Sequence, residues 1–208
     1  IDGNITANGR VMLLNQNGIV FGQGSRVDVA GLIATTSQVD DAAFMSGATT
    51  LQLTPGNNSQ ASIINRGTLT AGEEGLIGLV APTVENSGVI EARLGKVTLA
   101  GAERVTLDLA GDDLITIDVT DQVNGLVKNS GAISADGGTI TLTASRAKNA
   151  VQASIINTGS LRANTVAMKN GRILLRAGGH QKQETAYNEA PVAAIRNSGT
   201  IETLGDDA

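Results

Sequence analysis

The sequence of 208 residues lacks cysteine and tryptophan, and it holds only two phenylalanines, one tyrosine and three prolines. The absence of cysteine excludes disulfides and cysteine-based metal or redox sites. Aromatic side chains normally supply much of the bulk of a globular core, so this core has to be built from Ile, Val, Leu and Ala. Hydrophobic residues still make up 41% of the chain, which argues against disorder. This composition favours thin, regular layers of aliphatic side chains.

Positive charge and histidine are also scarce. The net charge of −5 gives no electrostatic reason to bind nucleic acid or anionic lipid, and no apolar run approaches the roughly 20 residues that span a bilayer. His180 is the single histidine, so a histidine-rich site is excluded and we expect no metal and no cofactor. The chain starts at Ile1 in mid-pattern without a signal peptide, and we interpret it as a processed product or a fragment.

A short phrase recurs five times: aliphatic residues, then Asn, any residue, Gly and an alternating apolar tail. The copies cover residues 63–71, 84–92, 127–135, 155–163 and 195–203. Their asparagines are Asn65, Asn86, Asn129, Asn157 and Asn197, at separations of 21, 43, 28 and 40 residues. A period near 21 residues indicates a solenoid. We interpret the two long gaps as double coils, each with a silent copy of the phrase.

The spacing predicts an all-β fold, a right-handed parallel β-helix. Short β-branched segments bounded by Gly, Asn and Asp fill most of the chain, and a coil of about 20 residues accommodates three short strands and three bends. About eight or nine coils at the usual inter-strand spacing give a rod roughly 40 Å long. Asn and Gly tolerate left-handed backbone conformations, so each Asn-x-Gly is expected to form a corner where the asparagines stack as a hydrogen-bonded ladder.

Three stretches interrupt the period and are expected to leave the coil as extra-helical excursions. Residues 37–60 predict an excursion, such as a hairpin that covers one face. Residues 144–152 have a helix-forming composition and account for the 28-residue spacing as one coil plus a short insertion. Residues 178–194 are polar and predict a protruding loop that also carries Tyr187. We expect one β-helix domain over residues 1–208, with repeat coils from residue 63 onward.

The first part of the chain carries a family resemblance. Residues 8–36 (NGRVMLLNQNGIVFGQGSRVDVAGLIATT) resemble the N-terminal two-partner secretion domain, also called the haemagglutination activity domain, of filamentous haemagglutinin-type exoproteins. The family motif Asn-Pro-Asn-Gly-Ile stands here as Asn15-Gln16-Asn17-Gly18-Ile19, and residues 1–62 are similar to part of the secretion domain. Gln16 replaces the family's proline, which removes a fixed φ angle from this corner. The usual N-terminal cap is absent from the sequence.

The resemblance implies a function. Family members are passengers recognised by a dedicated outer-membrane transporter and released to the surface or surroundings of a Gram-negative bacterium. Their common role is adhesion to host cells, to abiotic surfaces or between cells in a biofilm, and the receptor of this chain, whether on a host cell, a glycan or an abiotic surface, stays open. The resemblance assigns transporter recognition to Asn15, Asn17, Gly18 and Ile19. The alternative interpretation is that these residues only build the corner, since similar chemistry recurs at the other corners.

Other function classes stay open. A β-helical polysaccharide lyase or hydrolase needs clustered carboxylates with a basic residue, and the best local set is Asp108, Asp112, Asp113, Asp118 and Asp121 with Arg104. Because Asp112 and Asp113 follow a glycine and resemble a turn, we predict no catalytic residues. The N-terminal part of a cytolysin or contact-dependent toxin is a further alternative. Unpaired coil edges also make end-to-end self-association possible.

Overall fold

The fold is a parallel β-helix with three strands per coil, which confirms the predicted fold class. The computed structural model describes residues 1–108, 115–117, 125–145, 154–177 and 194–205. The strands and the one helix of these residues are β1 (Asn4–Leu14), β2 (Ile19–Phe21), β3 (Arg26–Thr35), β4 (Gln38–Val39), α1 (Asp41–Met45), β5 (Thr50–Thr54), β6 (Ser62–Asn65), β7 (Thr68–Ala71), β8 (Leu76–Ala81), β9 (Thr83–Asn86), β10 (Val89–Ala92), β11 (Lys96–Gly101), β12 (Val105–Asp108), β13 (Ile115–Ile117), β14 (Leu126–Asn129), β15 (Ala132–Ser134), β16 (Thr139–Ala144), β17 (Ile155–Asn157), β18 (Ser160–Arg162), β19 (Arg172–Ala177), β20 (Ile195–Asn197) and β21 (Thr200–Glu202). No helix among these residues is long and apolar enough to cross a membrane.

Three parallel faces run along the rod. The first face pairs β7, β10, β15, β18 and β21, and the second pairs β8, β11, β16 and β19. The long strands β1 and β3 contribute to both, because β3 pairs with β7 through residues 26–29 and with β8 through residues 32–35. The third face has six strands, in the order β2-β6-β9-β14-β17-β20. Each coil therefore passes through the first, second and third faces in turn.

The prediction of silent coils is wrong. Asn86 pairs directly with Asn129, and Asn157 pairs directly with Asn197, so each long gap is a single coil with inserted chain. The six strands of the third face correspond to six coils in the described chain, fewer than the spacing predicted. The inserted residues after β3 and β11 leave the rod between the second and third faces, whereas the extra residues that follow β16 and β19 in the sequence lie largely outside the described residues. Only Pro82 separates β8 from β9, which shows how short this connection is without an insertion.

The interior is a stack of aliphatic side chains, as the scarcity of aromatic residues predicts. Along a third-face strand buried and partly exposed residues alternate, as in Ser62–Asn65. Neighbouring coils place similar residues at the same level of the sheet, which gives columns of inward side chains. One such column on the third face contains Ile63, Val84, Val127 and Ile155, all fully buried. Among the described residues, Phe21 is the one aromatic side chain of this core.

A second core lies outside the coil, on the second face. Strands β4 and β5 of the excursion join β12 and β13 in a four-stranded antiparallel sheet. Leu51 and Leu53 of β5 pack with Val105 and Leu107 of β12 against second-face residues that include Ile33, Leu76, Val80 and Ala100. All six residues of β8 are consequently buried. Residues 37–60 thus leave the coil and cover a face, as expected, and the sheet is completed by a second insertion.

Two expected excursions fall largely outside the described residues. Of the stretch 144–152, which predicts a helical turn, only Ala144 and Ser145 are described. Of the polar stretch 178–194, only Ala194 is described. The 28-residue spacing itself agrees with the prediction of one coil plus a short insertion, because Asn129 pairs with Asn157.

Candidate recognition surface at the first coil

Residues 15–18 form a tight turn between the second and third faces of the first coil. The Gly18 N–H donates to the Asn15 carbonyl at 3.0 Å, and the Asn17 N–H donates to the Asn15 side-chain oxygen at 3.0 Å. The Asn15 N–H donates to the Thr35 carbonyl of the next coil at 3.0 Å. An asparagine that bonds its own backbone two residues on stabilises a β-turn locally. Position 16 is the second residue of this turn, where proline is favoured.

Gly18 and Ile19, the second half of the motif, serve the fold. Gly18 has φ of 110°, and a Cβ atom there would lie 2.9 Å from the Ser62 carbonyl oxygen. Ile19 is 7% exposed and pairs with Ile63 at the start of the third face. Both residues are therefore explained by the backbone path and the core without any partner.

Asn15 and Asn17, in contrast, are exposed. The Asn15 side chain is engaged in the turn. No described residue forms a hydrogen bond with the Asn17 side chain, so its amide is available to another molecule. The structure thus divides the four predicted recognition residues into an exposed pair and a pair required by the fold.

Gln16 makes contacts that the sequence did not reveal. Its side-chain oxygen accepts a hydrogen bond from the Asn57 N–H at 3.2 Å and one from the Gln38 side-chain amide at 3.5 Å. Gln38 and Asn57 lie near the two ends of the excursion that forms the outer sheet. A cleft of about 650 Å³ lies between the turn and the excursion, lined by residues that include Asn17, Gln38, Asp41 and Asn57. The only sequence signal for this contact was the replacement of proline by glutamine.

The five repeated asparagines occupy one corner of successive coils. The side-chain amide of Asn65 donates to the Asn86 side-chain oxygen at 2.8 Å, and the same bond joins Asn86 to Asn129. It continues from Asn129 to Asn157 at 2.8 Å and from Asn157 to Asn197 at 2.7 Å. The first four side chains are at most 1% exposed, whereas Asn197 is exposed. The row is therefore a continuous ladder that is buried from Asn65 to Asn157 and ends at the exposed Asn197.

The glycines of the phrase have a different role from the predicted one. Positive φ angles occur at Gly18, Gly47 and Gly137 among the described glycines, and none occurs in an Asn-x-Gly repeat. A Cβ atom on Gly88, Gly131, Gly159 or Gly199 would instead lie 2.1 Å from the carbonyl oxygen of the equivalent glycine one coil earlier. The expectation of left-handed corners at these repeats is thus wrong. Glycine is required because neighbouring coils approach too closely for a side chain.

Left-handed residues appear at the other corner, between the first and second faces. Glu74 and Leu94 have φ of 61° and 58° there. Glu74 forms an ion pair with Lys169, and this hydrogen bond and charge lower the pKa of the Glu74 carboxyl. Because both side chains are more than half exposed, the pair contributes little to stability. The Glu74–Lys169 ion pair is therefore a local surface contact, and it gives no indication of a binding site at this corner.

Of the acidic residues and the arginine considered as a possible catalytic set, the structure describes only Asp108 and Arg104. Asp108 lies in β12 and Arg104 is exposed just before it, whereas Asp112, Asp113, Asp118 and Asp121 lie outside the described residues. His180 and Tyr187 are outside them as well. Within the described ranges, no group of three His, Cys, Asp or Glu side chains is placed to hold a metal ion.

The coil, its antiparallel cover and the turn at the first coil define a parallel β-helical domain with an outer sheet on one face. The family model described as TPS secretion domain matches residues 1–202. The chain therefore belongs to the two-partner secretion family, which confirms the resemblance found in the sequence. It is the secretion domain of a passenger of the kind that Gram-negative bacteria export with an outer-membrane partner transporter.

Relatives and a solved structure agree with this assignment. Two curated relatives from Haemophilus influenzae, both named heme/hemopexin-binding protein, are 35% identical over 184 residues and 34% identical over 199 residues. Each match covers 85% of this chain and 20% or 21% of the relative, so the chain spans about a fifth of their length. The crystal structure of the HMW1 secretion domain from Haemophilus influenzae matches with a TM-score of 0.75 and 25% identity, over 99% of this chain and 49% of that one.

Proposed function

We propose that the outer-membrane transporter recognises this domain through the first-coil turn, with Asn17 as the main contact and Asn15 as the residue that shapes the turn. The supporting observation is the Asn17 amide, which is exposed and has no partner among the described residues. The turn itself is held by two hydrogen bonds to Asn15 and one to Thr35. A rigid exposed turn loses little conformational entropy on binding, which favours specific recognition.

The composition suits export in an unfolded state. The chain has no cysteine, so no disulfide can close a loop before the chain passes through a pore. Its coils are added one on another through the same strand pairings and the same asparagine bonds. In a solenoid each repeat contacts its neighbours, so folding can propagate from a coil that has already formed. We expect the exported chain to fold outward from the first coils to emerge.

We propose a non-catalytic, adhesive role for the mature passenger at the cell surface or in the surroundings of the bacterium. In support, the coil presents extended parallel faces, and an extended surface suits adhesion to other surfaces. Incubating the chain with acidic polysaccharides tests the enzyme alternative, because new reducing ends or unsaturated products would contradict a non-catalytic role.

The relatives favour a second candidate for the whole passenger. Both are named heme/hemopexin-binding protein. The parent of this chain is then a carrier that captures haem or a haem-bearing protein, with the secretion domain serving export. Titrating the full passenger and this chain separately with haem and with hemopexin distinguishes the candidates. Binding by the full passenger alone supports the carrier, and no binding by either supports the adhesin.

The transporter proposal is tested by binding of the 208-residue chain to outer membranes that contain the cognate transporter. Asn17→Ala is expected to weaken binding about tenfold, the effect of losing one good polar contact at an interface. Asn170→Ala is the matched control, because Asn170 is also exposed but lies after β18, far along the coil. Equal binding of wild type and Asn17→Ala would overturn the assignment of Asn17.

A further inference from the structure

Part of the second face lies open beyond the outer sheet. Under that sheet all six residues of β8 are buried, and Thr98 and Ala100 of β11 are buried as well. Along β16, in contrast, buried residues alternate with partly exposed ones, and no residue of β19 is fully buried. The last two strands of this face in the described chain therefore present a flat, regular surface of parallel sheet.

Basic side chains surround a row of threonines on this surface. Lys96 of β11 and Arg172 of β19 flank Thr139 of β16. Arg176 lies beside Thr143 in the same register. The ordinary geometry of a sheet sets Lys96 and Arg172 about 10 Å apart across the strands, and Arg172 and Arg176 about 13 Å apart along β19. We call this surface the basic face, and it consists of Lys96, Thr139, Thr141, Thr143, Arg172 and Arg176.

No acidic side chain among the described residues neutralises the basic face. Strands β8, β11, β16 and β19 contain no Asp or Glu, and the ion pairs within the described ranges include none of the three basic side chains. Two carboxylates lie at the neighbouring corner, but Glu74 is paired with Lys169. Asp136 is paired with Arg162. A local cluster of unneutralised positive charge in a chain of net charge −5 indicates an anionic ligand.

We propose that the basic face of the folded, exported domain binds an acidic polysaccharide whose charge is carried by carboxylates. This proposal rests on the adhesive role proposed above and supplies that role with a class of ligand. It requires the folded coil only outside the cell, so it is compatible with an unfolded passage of the chain through the transporter. The transporter and the polysaccharide then contact the domain at different stages and through different residues.

The chemistry of the basic face favours this ligand over other anions. Arginine binds a carboxylate through two parallel hydrogen bonds, and a threonine hydroxyl both donates to and accepts from the hydroxyls of a sugar. Strands β16 and β19 hold no aromatic side chain on which the bases of a nucleic acid could stack. Three positive charges spread over about 10 by 13 Å match a polymer with a carboxylate on every second sugar better than a densely sulfated one.

The test measures binding of the folded 208-residue chain to hyaluronan oligosaccharides, in which every second sugar carries a carboxylate. The wild type is expected to bind, and to bind more weakly as salt is added, because salt screens exposed charges. Arg172→Gln and Arg176→Gln are each expected to weaken binding about two- to fivefold, the effect of one exposed charge pair, and the double variant about tenfold. Thr141→Val keeps the side-chain shape but removes a hydroxyl, and it is expected to weaken binding about threefold.

Arg26→Gln is the matched control. Arg26 is exposed on β3, where this strand belongs to the first face, so the variant changes the net charge equally and leaves the basic face intact. Its binding is expected to equal that of the wild type. Far-ultraviolet circular dichroism and thermal unfolding check that all variants retain the coil.

Several outcomes would overturn the proposal. Absence of hyaluronan binding by the wild type is one, and an equal loss in Arg26→Gln is another, because net charge alone would then explain the binding. Tighter binding of heparin oligosaccharides or of a single-stranded oligonucleotide than of hyaluronan would contradict the choice of a carboxylated polysaccharide. If the full passenger adheres to cells while the 208-residue chain binds no hyaluronan, the adhesive role stands and only the ligand assigned to the basic face is wrong.

Discussion

Replacing Asn129 with alanine removes the middle of the asparagine ladder. The Asn129 side chain donates to Asn157 and accepts from Asn86, each at 2.8 Å, and it is fully buried. Alanine breaks both bonds and leaves an amide N–H on Asn86 and a side-chain oxygen on Asn157 without these partners. Longer contacts of the amides to backbone carbonyls, such as Asn86 to Gly88 at 3.4 Å, replace little of this energy.

The expected loss of stability follows from these two groups. A buried polar group left without a partner costs about 1–3 kcal/mol, so the two groups that Asn129→Ala leaves are expected to lower the free energy of unfolding by about 2–6 kcal/mol. Asn197 is the control, because it is exposed and accepts a single ladder bond, from Asn157. Its replacement by alanine leaves only the Asn157 N–H without a partner, at the partly buried end of the ladder where water can replace Asn197, and is expected to cost about 1 kcal/mol.

Urea unfolding followed by far-ultraviolet circular dichroism measures the difference, since the chain has no tryptophan. With a slope of about 2–3 kcal/mol/M, the midpoint for Asn129→Ala is expected to fall by about 1–2 M urea. Asn129→Leu is expected to be at least as unstable, because it restores volume without restoring either bond. Similar midpoints for the Asn129 and Asn197 variants would refute the argument that the ladder stabilises the coil through satisfied buried amides.

Three further predictions follow from the structure. Gly131→Ala is expected to prevent folding or cost more than about 3 kcal/mol, because its Cβ would lie 2.1 Å from the Gly88 oxygen; Gly24→Ala, with open space around it, should unfold like wild type in the same urea assay. Leu53→Ala is expected to cost about 2–5 kcal/mol in the outer core and to speed proteolysis within residues 37–60, as mapped by mass spectrometry. Lys169→Ala is expected to raise the pKa of Glu74 toward the ordinary value of a glutamate in an NMR titration; because the folded-state pKa is the lower one, the pair's contribution is present above the ordinary pKa and is lost as the pH falls through the lowered pKa. Unchanged urea midpoints for Gly131→Ala, unchanged cleavage for Leu53→Ala or an unmoved Glu74 titration would each contradict the corresponding contact.

The fold class could be predicted from the sequence because each coil needs the same two residues at the same corner, an asparagine and a glycine, so these residues recur along the chain. Every copy places an asparagine at the same corner and a glycine two residues later, where coils come close together. The spacing of the copies does not reveal how many residues between two copies belong to an insertion outside the coil. The 43-residue gap between Asn86 and Asn129 was close to twice 21, but it contains one coil and strands β12 and β13 of the outer sheet. Sequence separation alone does not distinguish an inserted sheet from a second coil.

The candidate site was predicted only in part for a related reason. Asn15 to Ile19 could be selected from the motif, yet the motif does not show which side chains face outward. Burial of Ile19 and the crowding at Gly18 become visible only when the second coil, with Ser62 and Ile63, is in place. The bond from Gln16 to Asn57 joins residues 41 positions apart and carries no periodic signal. Contacts between the coil and its excursions therefore required the structure.

Secretion in living cells tests the central claim most directly. The passenger that carries this domain is expressed with and without its outer-membrane transporter, and the extracellular amount is measured for wild type, Asn17→Ala and Asn170→Ala. The account predicts export that depends on the transporter, a several-fold loss for Asn17→Ala and no change for Asn170→Ala. Equal export of all three proteins, or export of the wild type without the transporter, would contradict it.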